Sequence, residues 1–347
     1  MSADDLVNER QRYYARLKTQ QLAPLWEFFK DWFSLAPRVS AQVHLWRYSE
    51  LRELILESAA IIDPEEAERR VVVLENPGLA GRRLATESLY AGLQLIMPGE
   101  VAPCHRHTPA ALRFVVEGQG AYTSVNGEEA YMQPGDFIVT PSWTWHEHGH
   151  EGEGATVWLD VLDVAVIHLF NATFTEHWPA KQFAAGPPPM DSLYRYGSNM
   201  RPVDYRRGGA ASPVFSYPYA RTREALEHLK QDSDWDPCHG LKMEYIDPTS
   251  GGPAIPTLST FMQLLPTGFE TESYRSTAGT IYCVVEGSGE LLVDSEHQPL
   301  AYQPWDIFVV PSWQPFRLSA KTESIIFSTS DQAIQTKLGF WREQRGQ

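Results

Sequence analysis

The chain has 347 residues, more than one hydrophobic core usually organises, so two domains are expected. Its formal charge is −15, which argues against nucleic acid or an anionic membrane as partner, yet leaves room for a small anion wherever local cations line a pocket. No apolar run is long enough to span a bilayer, the start of the chain lacks a signal-peptide pattern, and Cys104, Cys238 and Cys283 have no paired spacing; together these read as a cytoplasmic protein with reduced thiols.

Residues Asp4 to Ala60 read as helical. Tyr13, Leu17, Leu22, Leu25, Phe28, Phe29 and Phe33 recur at three- and four-residue steps, with Pro24 and Pro37 as breaks. A further helix fits Tyr48 to Ala60, with Leu51, Leu54 and Ile55 on one face. The region 1–68 is expected to cap the first barrel or to reach another subunit. From Arg70 the period changes. Val71-Val72-Val73-Leu74 ends in the turn signal Asn76-Pro77-Gly78, and Ser88 to Met97 reads as a second strand.

Pro98 to His148 is the most informative stretch. His105-Arg106-His107 sets two imidazoles at i and i+2, on one face of a strand. His146 follows a Gly135-Asp136 turn and an apolar run. Three imidazoles with open positions suit iron, zinc, copper or nickel rather than magnesium or calcium. Cys104 adjoins His105 but faces the other side of the strand. His150 reads as surface and His168 as core.

Residues 179–253 are rich in proline and glycine and hold one expected helix, Arg221 to Gln231. They read as an ordered connection between a first barrel at 69–178 and a second at 254–335, with a tail at 336–347. The second barrel repeats the first. Val284-Val285-Glu286-Gly287-Ser288-Gly289 echoes Val115-Val116-Glu117-Gly118-Gln119-Gly120, and Val310-Pro311-Ser312-Trp313 echoes Thr140-Pro141-Ser142-Trp143. At the places of His105, His107, His146, His148 and Arg113 the second copy has Tyr274, Ser276, Phe316, Leu318 and Tyr282. The fold therefore does not require the histidines, and their presence in the first copy asks for a chemical reason. The second barrel is expected to hold no metal by this route.

Gly99, His105, His107 and Gly120, then Gly135, Pro141 and His146, resemble the two cupin motifs. The resemblance implies a mainly β bicupin, two jelly-roll barrels behind N-terminal helices. Most cupins carry a Glu ligand where this chain has Arg113, and arginine cannot ligate a metal at ordinary pH. That departure, with Trp143-Thr144-Trp145-His146-Glu147-His148, with Leu89 to Gln94 and with Trp158-Leu159-Asp160, resembles the gentisate 1,2-dioxygenase family. The family includes salicylate and 1-hydroxy-2-naphthoate dioxygenases. The resemblance implies one ferrous iron per subunit, Fe(II), held in the first barrel by His105, His107 and His146. It also implies ring cleavage of gentisate by dioxygen to maleylpyruvate, and a homotetramer. Zinc or manganese remains open on spacing alone.

Other roles follow. A planar guanidinium in the slot of a ligand Glu suits a substrate carboxylate, which is the role read for Arg113. The resemblance adds Arg69 as a second carboxylate contact, with Arg70 as its rival after a one-residue slip. His148 is open to three readings, a fourth ligand, an outer residue or a proton handler; the resemblance implies contact with substrate. Asp160 either orients a ring or is an ordinary barrel carboxylate. Tyr90, Gly92 and Gln94 alternate onto one face of the strand that lines the substrate ring in the family, and Tyr90 leans the substrate toward gentisate. Rival readings are a salicylate or hydroxynaphthoate dioxygenase and a bicupin that binds an aromatic acid without turnover.

Overall fold

The computed structural model describes residues 2–180, 183–184, 186–206, 208–231, 234–293 and 298–346. The chain forms two units, one ending at Arg38 and one starting at Val39. The first unit holds helices Ala3–Thr19 and Leu25–Trp32. Ser2 caps the first: its hydroxyl accepts from the Asp5 amide at 3.2 Å, and the Asp5 carboxylate accepts from the Ser2 amide at 2.9 Å. Trp26 donates to the Tyr14 hydroxyl, which donates to Glu27, so a short polar chain ties the two helices together.

Among the described residues the second unit contains four antiparallel sheets, two of six strands and two of five. Each barrel takes one of each. In the first barrel the strands Tyr90–Ile96, Ala111–Glu117, Phe137–Thr140 and Thr156–Leu162 lie in the six-stranded sheet, and Val101–His107, Ala121–Val125 and His146–His150 lie in the five-stranded one. The expected bicupin is present, with its repeat intact. Trp305 in the second copy occupies the place of Gly135, and both backbones are left-handed, with φ of 70° and 87°. The turn geometry is therefore kept even where the glycine that relieves it is not.

Both barrels also draw strands from outside their own repeats. His44–Trp46, inside the stretch read as helical, pairs with Ile307–Val309 at the edge of the second barrel. Ser216–Tyr217 from the connection pairs with Phe137 and Ile138 of the first. Leu241–Glu244, also from the connection, pairs with Phe261–Leu264 of the second. The connection carries helices Asp191–Tyr196 and Tyr219–Leu229; the second answers the expected helix, shifted two residues toward the N-terminus. In the helix Tyr48–Ile61 only Tyr48 and Ile55 are buried, while Leu54 points to solvent against expectation. His150 is buried, its ring against Thr156 and the Gly152 amide, and His168 is exposed; both reverse the reading from sequence.

The strand Ala111–Glu117 is buried from Ala111 through Val116, on both faces. One face lines the barrel, and the other packs on the second barrel, where the Phe114 ring stacks on Phe327 at 3.9 Å. One apolar cluster runs through both barrels across this seam. Phe114→Ala opens a cavity there and is expected to cost about 3–5 kcal/mol of stability, read by denaturant unfolding. A loss under about 1 kcal/mol would mean that the seam contributes little.

Candidate active site

The strand Val101–His107 pairs with His146–His150 through a register shift between Ala102 and His105. Pro103 lies in the shift, where a residue without an amide donor is tolerated. The shift sets His105 opposite His146. With His107 on the same face, three ring nitrogens converge to within 4.8 Å of one another. The ring centroids lie 4.2 to 5.1 Å apart.

Two of the outer nitrogens are fixed by carbonyls. His107 Nδ1 is 2.7 Å from the Pro109 carbonyl, and His146 Nδ1 is 3.0 Å from that of Thr144. Both contacts require a proton on Nδ1, which leaves Nε2 as a bare acceptor. His146 Nε2 is buried and has no hydrogen-bond partner. Burial, joined by Arg69 and Arg113, pulls His105 down to about 2 and His107 to about 4 and holds His148 well below the usual imidazole range; burial, with His105 and Arg113 beside it, does the same to His146. Buried, neutral and converging imidazoles with an orphaned acceptor fit a divalent transition metal.

The cavity beside them is about 210 Å³. Arg69, Tyr90, Gln94, Arg113 and Asp160 reach it, and Val71, Ala111, Leu162 and Val164 form its apolar wall. Arg113 is buried; it donates to the Thr140 hydroxyl, and its Nε lies 3.4 Å from Asp160 Oδ1. Neither of those last two atoms makes a hydrogen bond, so the contact is a charge pair with poor alignment. Burial raises the Asp160 carboxyl to about 6, with Arg113 opposing the rise. Arg69 Nη2 donates to the Pro103 carbonyl and lies 2.5 Å from His105 Nδ1. Arg70 is elsewhere, with Nη1 2.6 and 2.7 Å from the Glu100 carboxylate and Nε on the Ile62 carbonyl. Two guanidinium groups against one carboxylate make the cavity locally cationic in an acidic chain.

Gly92 sits behind this wall. A Cβ there would meet Val71 Cγ1 at 2.6 Å and the Tyr90 hydroxyl at 3.0 Å, so the missing side chain lets Tyr90 fold over the strand. His148 lies deeper than expected, outside both the three-histidine cluster and the cavity wall. Its ring packs 5.2 Å from Trp158, its Nδ1 is 3.0 Å from the Thr123 hydroxyl, and its Nε2 has no partner. Cys104 is a buried free thiol, pushed up to about 12 chiefly by burial, and is not part of the cluster.

The sequence gives little sign of one device. Arg106, between the two histidines, points to the other face and lies 4.4 Å from the Trp143 ring and 4.5 Å from that of Trp145. Its Nε donates to Glu176 at 2.8 Å. The guanidinium thus pins the strand of His105 and His107 to the turn that carries His146. The second barrel keeps a reduced form, Arg275 over Trp313 at 4.7 Å.

A cupin domain model matches residues 92–162, the stretch that holds the three histidines. Gentisate 1,2-dioxygenase 1 of Aquipseudomonas alcaligenes is 48% identical over 98% of this chain and 97% of that protein. The 5-aminosalicylate 1,2-dioxygenase of a Comamonas species is 34% identical over 93% of this chain and 87% of that one. A crystal structure of salicylate 1,2-dioxygenase from Pseudoaminobacter salicylatoxidans, with gentisate, superposes with a TM-score of 0.90 at 32% identity, over 97% and 94% of the two chains. With two cupin barrels, one histidine cavity and near full-length likeness to these proteins, the chain belongs to the gentisate 1,2-dioxygenase family of bicupin ring-cleaving dioxygenases.

Proposed function

We propose that the chain opens the ring of gentisate, 2,5-dihydroxybenzoate, with dioxygen to give maleylpyruvate, in aromatic degradation. The observation that carries the reading is the pairing of three neutral, converging imidazoles with two guanidinium groups in one small cavity. Both oxygen atoms enter the product, so no outside reductant is needed.

Ferrous iron is the metal we propose for His105, His107 and His146; when bound it supplies the redox-active centre through which the ring's electrons reach dioxygen. The remaining chemistry belongs to the chain. Arg113 takes the substrate carboxylate as a planar fork, and Arg69, already a half-buried donor at the cavity, is the second contact. Asp160 stands beside Arg113 and fixes where that fork points. Tyr90 and Gln94 offer a hydroxyl and an amide to the ring hydroxyls. Val71, Leu162 and Val164 keep water off the ring. His148 lies outside the cavity wall with an unpartnered Nε2, and we assign it the phenolic proton, relayed inward past that wall.

Oxygen uptake by anaerobically purified, ferrous-loaded protein tests this reading, with salicylate run in parallel. One oxygen consumed per gentisate lost is the expected result. Equal uptake with salicylate would move the substrate to the monohydroxylated branch. No uptake with iron bound would leave a bicupin that captures an aromatic acid without turnover. On the family likeness we also take the assembly to be a homotetramer, which sedimentation would check, and the compartment to be the cytoplasm.

A further inference from the structure

The second barrel has a cavity of its own, about 410 Å³, at the place that corresponds to the histidine cavity of the first. The strand registers establish the correspondence. Val71 pairs with Gln94 in the first barrel, and Lys242 pairs with Gln263 in the second. His105 pairs with His146, and Tyr274 pairs with Phe316. Where the first cavity has a valine, the second therefore has a lysine. Tyr274, Tyr282, Phe316 and Leu318 fill the interior that the histidines and Arg113 line in the first barrel, and Tyr274 brings that aromatic cluster to the cavity wall.

Lys242 Nζ lies 4.4 Å from the Phe261 ring, and Lys242 has no ion-pair partner among the described residues. Asp236, Glu244 and Glu343 favour its charged form from a distance, and each has a nearer partner of its own. Asp236 accepts from Arg345 and from the Cys238 amide. Glu343 is engaged with the Tyr274 hydroxyl, and Glu244 with that of Ser259. Asp234, Glu244 and Glu343 are exposed at the rim, where water screens them. Inside, Trp341 adds a second donor, since its indole Nε1 is buried and has no acceptor. His239 closes the wall, its ring 4.5 Å from Tyr274. Trp341 Nε1 is a buried donor without an acceptor, costly to leave unmade, and the half-buried Lys242 ammonium stands in the same cavity with no ion-pair partner among the described residues; together, beside aromatic faces, they form an incomplete constellation. A carboxylate on a flat apolar body completes it.

We propose that this cavity binds a small aromatic carboxylic acid, with the carboxylate on Lys242 and Trp341 and the ring against Phe261 and Tyr274. The site needs no metal and is separate from the histidine cavity. Burial lowers the Lys242 ammonium to about 8, so near neutral pH it is mostly charged, and a bound anion holds it so.

Equilibrium dialysis with labelled benzoate, which lacks the ortho hydroxyl needed to chelate iron, tests the proposal on the full chain. Arg113→Leu disables the first cavity, and one benzoate site per chain is expected to survive it. Lys242→Met in that background is expected to weaken the surviving site by about tenfold or more, and Trp341→Phe by less. Lys242→Met is also expected to melt no lower than the parent, since it removes a desolvated charge, and to leave gentisate-dependent oxygen uptake unchanged. Absence of a site in Arg113→Leu overturns the proposal, whether or not the lysine variant folds. So does unchanged benzoate affinity after loss of Lys242. These counts do not depend on turnover, so an inactive enzyme would refute the dioxygenase reading and leave this one to its own test.

Discussion

Arg113→Leu is expected to raise the gentisate requirement by two to three orders of magnitude while iron stays bound. Truncating one partner of a buried charge pair costs about 2–5 kcal/mol, and each 1.4 kcal/mol is tenfold in affinity. The metal should be spared because the guanidinium belongs to the cavity wall and not to the histidine cluster. Arg113→Lys separates charge from shape: a point charge without the fork should recover part of the affinity and not all of it. Normal gentisate binding by the leucine variant would remove Arg113 from the carboxylate role.

The same substitution carries a pH signature. Burial lifts the Asp160 carboxyl to about 6 in the folded protein, above its ordinary 3.8, and Arg113 is the largest of the groups that restrain it, ahead of Trp158 and Arg69. A carboxyl raised in the folded state withdraws stability as pH rises from the unfolded value through the folded one. Without Arg113 the folded value rises further and the withdrawal grows. The melting temperature of Arg113→Leu should therefore lie nearer the parent's at pH 5 than at pH 8. A constant difference across that range would mean that the two groups are not coupled.

The histidine cavity was legible because its message lies in residue types at fixed spacing. His105, His107 and His146 stand alone in one copy of a repeat, and Arg113 occupies a ligand's slot. Alternation predicts that the first two share a face, and the rings do meet. What escaped the reading depends on partners distant in sequence. His44–Trp46 is too short to show a period, and it is a strand only because the edge at Ile307–Val309 is open to it. The choice between Arg69 and Arg70 turned on Glu100, thirty residues away, which binds one of them outside the cavity. His150 looked exposed because it stands among polar residues, yet Thr156 and the Gly152 amide satisfy it indoors. Arg106 looked like a spacer between two histidines, since nothing local announces that two tryptophans forty residues on will enclose it. Lys242 was passed over within a connection, and it acquires meaning only through its register against Gln263.

His105→Ala should abolish iron content, and with it oxygen uptake. Disturbing a residue outside the coordination sphere costs roughly 10- to 100-fold in metal affinity, and losing one of three ligands should exceed that range. No other described His, Cys, Asp or Glu joins the cluster to replace it. His177, with its ring 6.5 Å from that of His105, is exposed on the strand outside. His148→Ala is the matched control. Its ring lies 6.0 Å from His146 and outside the cluster, so iron should remain while turnover falls. Iron at the parent's stoichiometry in His105→Ala would sink the ligand assignment. Loss of iron in His148→Ala would make the fourth histidine a ligand after all, and would move the proton handling to Tyr90 or to solvent.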